Sequence, residues 1–196
     1  EAHALADALG DITRERADPY YATSKLLWAA EHTDYLKHAT TALSANGFIV
    51  RMLTGQDSLD ESTAGLYQGW DGDFDPRLKG AGVPVDMFPT VVRCDALVGH
   101  VTADAADASG LPAGTPVLAG AIDGVGAALE AGILDDTDGD VEMTGFSTAL
   151  IRAVPRGSRA PGIIHTRHSI ADTDLFIASQ NTTGSALDWL VQLTGL

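Results

Sequence analysis

The chain has 196 residues, 45% of them hydrophobic, enough for one sizeable domain or two partial ones, which excludes disorder as the default. A net charge of −15 with only three lysines, Lys25, Lys37 and Lys79, argues against a nucleic acid partner, because phosphate backbones are held by clustered Lys and Arg. No run approaches the roughly 18 apolar residues of a membrane helix, so the expectation is a soluble, cytoplasmic protein without a membrane partner.

The chain opens at Glu1, without a methionine and inside a stretch that reads as a helix over Ala2 to Arg16, so a natural start further upstream is expected. The spacing of Leu26, Leu27, Ala30 and Leu36 predicts an amphipathic helix from Thr23 to Lys37, with Trp28 and the tyrosines as core anchors. Phe48 to Leu53, closed by Thr54-Gly55, reads equally as a strand or a helical turn. Asp71 to Asp75 (DGDFD) has the composition of a calcium loop, but Gly82 stands where an EF-hand needs its last acid, so the run is read as an acidic turn. Val91 to Val98 is rich in β formers, and Thr102 is placed to cap a short helix through Ser109 that ends at Gly110. Cys94, the single cysteine, permits no internal disulfide and reads as a small buried hydrophobe.

Pro116 to Ile122 (PVLAGAI) reads as a buried strand, Asp123-Gly124 as a tight turn, and Val125 to Ala131 as a helix stopped by Gly132. Beyond the acidic loop Asp135 to Asp140, Val141 to Thr144 and Thr148 to Val154 read as strands flanking the turn Gly145-Phe146-Ser147. A strand around Leu175 to Ala178 leads through the polar turn Asn181 to Ser185 to a final helix with Leu187, Leu190, Val191 and Leu193 on one side.

A carboxylate at the end of a buried strand lies in the crevice where open α/β sheets bind ligands, and there Asp123 can accept a proton; the plain alternative is a helix cap. Gly120, Gly124 and Gly126 permit close approach, but their order is not that of a dinucleotide turn, and no phosphate loop of the Walker type occurs. Thr144, Gly145, Ser147 and Thr148 offer N–H groups and hydroxyls that can hold an anion, or simply form a β-turn. Gly145-Phe146-Ser147-Thr148-Ala149 also varies on a serine-hydrolase elbow. That rival fails on two counts: β-branched Thr148 and Ile151 and then Pro155 follow where a helix is needed, and no acid lies between Ser147 and His165 or His168. His165 and His168 have the spacing of a metal pair but lack a third ligand nearby.

Several stretches together resemble the FGGY family of carbohydrate kinases, whose members phosphorylate pentuloses, hexuloses or glycerol. Lys25-Leu26-Leu27-Trp28 with Glu31-His32 is similar to the family's K-x-x-W signature, and Leu53-Thr54-Gly55 followed by Asp60-Glu61-Ser62-Thr63-Ala64 to its L-T-G and D-x-S-x-A stretch. The most specific likeness is Gly110-Leu111-Pro112-Ala113-Gly114-Thr115-Pro116-Val117 leading through Gly120 to Asp123. The resemblance implies an α/β fold of the actin-like, ribonuclease H-like type, present in part. Residues 1–136 would form the C-terminal part of the N-terminal, sugar-binding domain, and 137–196 the start of the C-terminal, nucleotide-binding domain. It implies ATP-dependent phosphorylation of a ketose or polyol, most like xylulose, with Mg²⁺ carried by the nucleotide; a homodimer stays open. Asp123 falls on the family's catalytic base and, with Gly124, on the sugar. Thr144, Gly145 and Ser147 fall on its second phosphate hairpin, and Gly184 and Ser185 on a loop touching ATP. Members like the xylulose kinases often carry an amide where this chain has Gly124, and many have Gly-Thr-Ser where it has Gly145-Phe146-Ser147. The alternative is a non-catalytic actin-like module that binds a sugar or a partner.

Overall fold

The computed structural model describes residues 21–67 and 69–195. The helix expected over Ala2 to Arg16 therefore lies outside the described residues. The chain divides into two compact units, Glu1–Ala121 and Ile122–Leu196.

In the first unit, α1 (Ala22–His32) buries Leu27 in a cluster with Leu78 and Val83. Trp28, one residue on, is turned about 100° around the helix. It is 58% exposed and stacks on His32, and Tyr35 is exposed as well. Trp28 and Tyr35 are thus not the core anchors expected of them; Tyr67, buried with Leu59 and Ala64, is one. The helix expected to run through Lys37 breaks earlier. The Thr33 hydroxyl donates to the Ala29 carbonyl at 2.7 Å and accepts from the Tyr35 amide at 3.4 Å, and this local bonding ends α1 before the single turn α2 (Tyr35–His38).

Ser44 settles the ambiguous segment that follows. Its hydroxyl accepts from the Gly47 amide at 3.2 Å and starts helix α3 (Ala45–Thr54). Strand β1 (Leu59–Asp60) pairs in parallel with β2 (Val91–Val92). Buried Asp60 caps α4 (Glu61–Gly65) by accepting from the Thr63 amide at 2.9 Å, and it also accepts from Asn46 Nδ2 at 2.7 Å and from the Ser62 hydroxyl. Asp71 to Asp75 forms a tight turn bridged between Trp70 and Phe74, before α5 (Arg77–Gly80).

The β-rich stretch divides in two, because a turn closed by the Ala96 amide on the Arg93 carbonyl separates β2 from β3 (Leu97–His100). Cys94, in that turn, is buried as expected. Helix α6 (Ala103–Ser109) begins on the Thr102 hydroxyl, which accepts from the Ala105 amide at 3.2 Å, and ends at Gly110, as its caps predict.

Pro116 to Ile122 is not the buried strand expected. Only β4 (Pro116–Leu118) is extended, antiparallel to β3 in a two-stranded ladder, with Leu118 half exposed. Gly120, at φ 84°, turns the chain out of the ladder.

The second unit is a helix on a sheet. Strands β5 (Asp140–Thr144), β6 (Thr148–Pro155), β7 (Ile164–Arg167) and β8 (Thr173–Gln180) lie in the order β5-β6-β8-β7, each antiparallel to its neighbour. Alternation along β6 and β8 puts Ile151, Ala153, Leu175 and Ile177 in the core. Helix α7 (Asp123–Glu130) covers this face with Gly124, Val125 and Ala128 buried. The final helix, α8 (Thr183–Thr194), leaves Leu187, Leu190, Val191 and Leu193 exposed. No helix among the described residues is long and apolar enough to cross a membrane.

Candidate active site

Asp123 is the first residue of α7 rather than part of a turn before it. The cap position is Ile122, which offers no side-chain bond, so Asp123 is not the helix's N-cap. Its carboxylate is exposed and accepts from the Gly124 amide at 2.8 Å. A carboxylate at a helix start is also favoured by the positive end of the peptide dipoles, by about 0.3–1 kcal/mol at an exposed site.

The direction of α7 over the sheet follows from its two ends. A Cβ added to Gly124 would lie 3.3 Å from Ile177 Cδ1 and 3.6 Å from Ile151 Cδ1. Beyond the helix, the Ile133 carbonyl meets His168 Nε2 at 2.9 Å and the Leu134 carbonyl meets the Thr173 hydroxyl at 3.5 Å, where Thr173 pairs with Pro155. So α7 runs along β6 in the direction from Thr148 to Pro155, and its N-terminus points toward the hairpin end of the sheet. Thr148 is three residues before Ile151, a distance of about 10 Å along the strand.

That hairpin is the β5–β6 turn. The Gly145 amide donates to the Ser147 carbonyl at 2.8 Å, and the Thr144 and Thr148 hydroxyls lie 3.0 Å apart, with Thr144 also donating to Glu142 at 2.6 Å. A strand follows Ser147, not a helix, so the serine-hydrolase elbow is absent. Phe146 stands at the tip, 73% exposed.

Helix α8 begins directly against this turn. The amides of Gly184 and Ser185 donate to the Phe146 carbonyl at 3.1 and 3.4 Å. The approach is so close that a Cβ on Gly184 would stand 2.0 Å from the Gly145 carbonyl oxygen, which only glycine avoids. Thr144, Gly145, Ser147, Gly184 and Ser185, five residues singled out in the sequence, are therefore neighbours in space. Gly124 is buried against the sheet while Asp123 beside it faces solvent.

His165 and His168 do not converge. His165 Nε2 lies 2.8 Å from the buried carboxylate of Asp174, while His168 is bonded to the Ile133 carbonyl. Asp174 also accepts from Arg167 Nη1 at 2.9 and 3.0 Å and from the Gly157 amide at 2.8 Å. Burial pushes the Asp174 carboxyl up, but the bonds from His165, Gly157 and Arg167 outweigh it and hold the group down at about 2. Sequence reasoning missed this hub, whose signal was the alternation of His165 and Arg167 on one face of a strand.

Residues 1–130 match the N-terminal domain of the FGGY family of carbohydrate kinases. An autoinducer-2 kinase of Yersinia enterocolitica is 35% identical over 107 residues, which are 50% of this chain and 20% of that one. Among solved structures, a xylulose kinase from Rhodospirillum rubrum superposes with a TM-score of 0.82 at 27% identity, over 96% of this chain and 40% of its own. One from Brucella ovis gives 0.84 at 23% identity, over 100% of this chain and 42% of its own. This chain thus spans about a fifth to two fifths of the length of these relatives. The α/β fold it carries is part of the actin-like fold of those kinases. By the match over its first 130 residues, supported by these likenesses, the chain belongs to the FGGY family of carbohydrate kinases.

Proposed function

We propose that the protein containing this chain is an ATP-dependent sugar kinase that phosphorylates a hydroxyl of a ketose or polyol, most like xylulose. Asp123 is its base. The sugar hydroxyl attacks the γ-phosphorus, its proton passes to the Asp123 carboxylate, and the bond from that phosphorus to the oxygen leaving with ADP breaks. A positioned base contributes about 10²–10⁴-fold, and the rest of phosphoryl transfer is mainly orientation and charge stabilisation.

Thr144, Gly145 and Ser147 take the phosphates, for which the Thr144 hydroxyl turns from Glu142 and the Gly145 amide from the Ser147 carbonyl, and Gly184 and Ser185 hold that hairpin against the start of α8. The fit to an anion rests on exposed hydroxyls on one turn, beside a helix start whose dipole favours negative charge. Mg²⁺ travels with the nucleotide, and no ligands in this chain are assigned to it. Residues 1–136 belong to the sugar-binding domain and 137–196 to the nucleotide-binding one, in a cytoplasmic enzyme.

The observation that carries this reading is the exposed carboxylate of Asp123 on a helix whose N-terminus points toward the hairpin of Thr144, Gly145 and Ser147. One observation favours the second reading, a non-catalytic sugar- or partner-binding module. Phe146 replaces a hydroxyl at the hairpin tip, and its carbonyl occupies the Gly184 and Ser185 amides. A screen of ketoses and polyols with ATP on the complete gene product separates the two. Sugar-dependent ADP release with a phosphorylated product is expected. Sugar binding by calorimetry with no ADP release from any of them would favour the second.

A further inference from the structure

The N-cap of α7, Ile122, offers no side-chain bond, so the packing beneath the first turn bears directly on how high Asp123 stands above the sheet. The contact nearest to it is Gly124, which is buried and faces Ile177 and Ile151. Ile177 lies on β8, which is paired on both sides, with Ile151 opposite on β6 and Ile164 on β7. The backbone beneath the helix start is therefore held by ladders on two sides and yields little. We infer that Gly124 and Ile177 are positioning residues for Asp123, a contact that sets how far the carboxylate stands from the sheet; the inference rests on the kinase reading.

A methyl on Gly124 would meet Ile177 Cδ1 at 3.3 Å, tighter than the usual 3.5–4.0 Å between carbons, while its 3.6 Å separation from Ile151 Cδ1 is ordinary contact. The strain is therefore concentrated on one atom. It is relieved either by rotation of the Ile177 tip within a packed core or by a lift of the first turn of α7, and the second carries Asp123 with it. Catalysis is steep in such displacements: a misplacement of about 1 Å can cost about 10²-fold, so a lift of a few tenths of an ångström is expected to cost about tenfold or less. Deleting Cδ1 by Ile177→Val removes the one tight contact and leaves the rest of the wall in place.

The test is a double-mutant cycle in the full-length enzyme, with ATP and D-xylulose, or the ketose that the screen above returns, and with thermal melting as a check on folding. Gly124→Ala is expected to lower kcat about fivefold to tenfold, with KM for ATP and for sugar held within about twofold, because the binding groups stay where they are. In the Ile177→Val background the same Gly124→Ala change is expected to cost less than about twofold in kcat. A purely structural role would lower the melting temperature without this kcat-only loss and its rescue. A Gly124→Ala enzyme with unchanged kcat, or an equal kcat penalty in both backgrounds, overturns the inference. Asp123→Asn is run alongside: if it keeps full turnover, the base assignment fails and the inference falls with it, whereas a dead Asp123→Asn beside an unaffected Gly124→Ala sinks the positioning role alone.

Discussion

Replacing Gly184 with Ala presses directly on the contact between α8 and the β5–β6 hairpin. The new Cβ would stand 2.0 Å from the Gly145 carbonyl oxygen, whereas a carbon and a carbonyl oxygen approach to about 3.3 Å. Hairpin and helix start must separate by about 1 Å. The obstacle is backbone, not a side-chain tip, so no rotamer change relieves it. The two bonds onto the Phe146 carbonyl, already 3.1 and 3.4 Å long, then stretch beyond useful geometry. At a net 0.5–1.5 kcal/mol for each bond, the local cost is about 1–3 kcal/mol. Tenfold in an equilibrium constant is about 1.4 kcal/mol, so the Ser185 amide is expected to exchange with solvent about 5-fold to 150-fold faster, read by native-state hydrogen exchange. In the full-length enzyme the same change raises KM for ATP more than it lowers kcat. Exchange at Ser185 within twofold of the parent, with KM for ATP unmoved, would refute the reasoning that this close contact holds the hairpin.

Asp174→Asn removes the buried carboxylate that Arg167 and His165 bond, and a loss of about 3–5 kcal/mol in unfolding free energy is expected by denaturant titration; a loss under about 1 kcal/mol would contradict it. The same carboxyl gives a pH dependence. Its folded pKa of about 2 lies below the ordinary 3.8, so its stabilisation of about 2 kcal/mol is fully present above pH 4 and is lost as the pH falls toward 2. The stability difference between the parent and Asp174→Asn should therefore be full above pH 4 and narrow by about 2 kcal/mol as the pH falls toward 2; a difference constant over that range would contradict it. Burial lifts the Cys94 thiol from 9.0 to about 11, which lowers its thiolate fraction at pH 8 by about a hundredfold. Its reaction with a disulfide reagent should accordingly be slow in the native protein and fast in guanidinium; equal rates would count against a buried thiol.

The parts of the fold that were legible in the sequence are those written within a few residues. Thr102 and Gly110 bound α6 through their own side-chain and backbone preferences, and Gly145-Phe146-Ser147 between β-branched runs gave the hairpin. Where the determinant is distant, local pattern misled. The apolar run Pro116 to Ile122 has the composition of a buried strand, yet among the described residues it pairs only with β3, and Gly120 turns it away after three residues. Trp28 has the size of a core anchor, but the buried face of α1 is set by where Leu78 and Val83 lie, and they select Leu27. The site divides in the same way. Asp123 and the hairpin residues were visible as residue types in a pattern. That Gly184 meets Gly145, and that Gly124 meets Ile177, depends on segments 39 and 53 positions apart, and only the folded sheet brings them together.

A carboxylate carrying a proton away from the attacking hydroxyl must be able to ionise, so the measurement that bears most directly is Asp123→Asn in the full-length enzyme, an exchange of nearly equal shape without the charge. Phosphoryl transfer to the sugar should fall by about 10²–10⁴-fold while ATP affinity, measured by calorimetry, stays within about threefold. Sugar phosphorylation at the parent rate by that variant would contradict the assignment of Asp123 as the base.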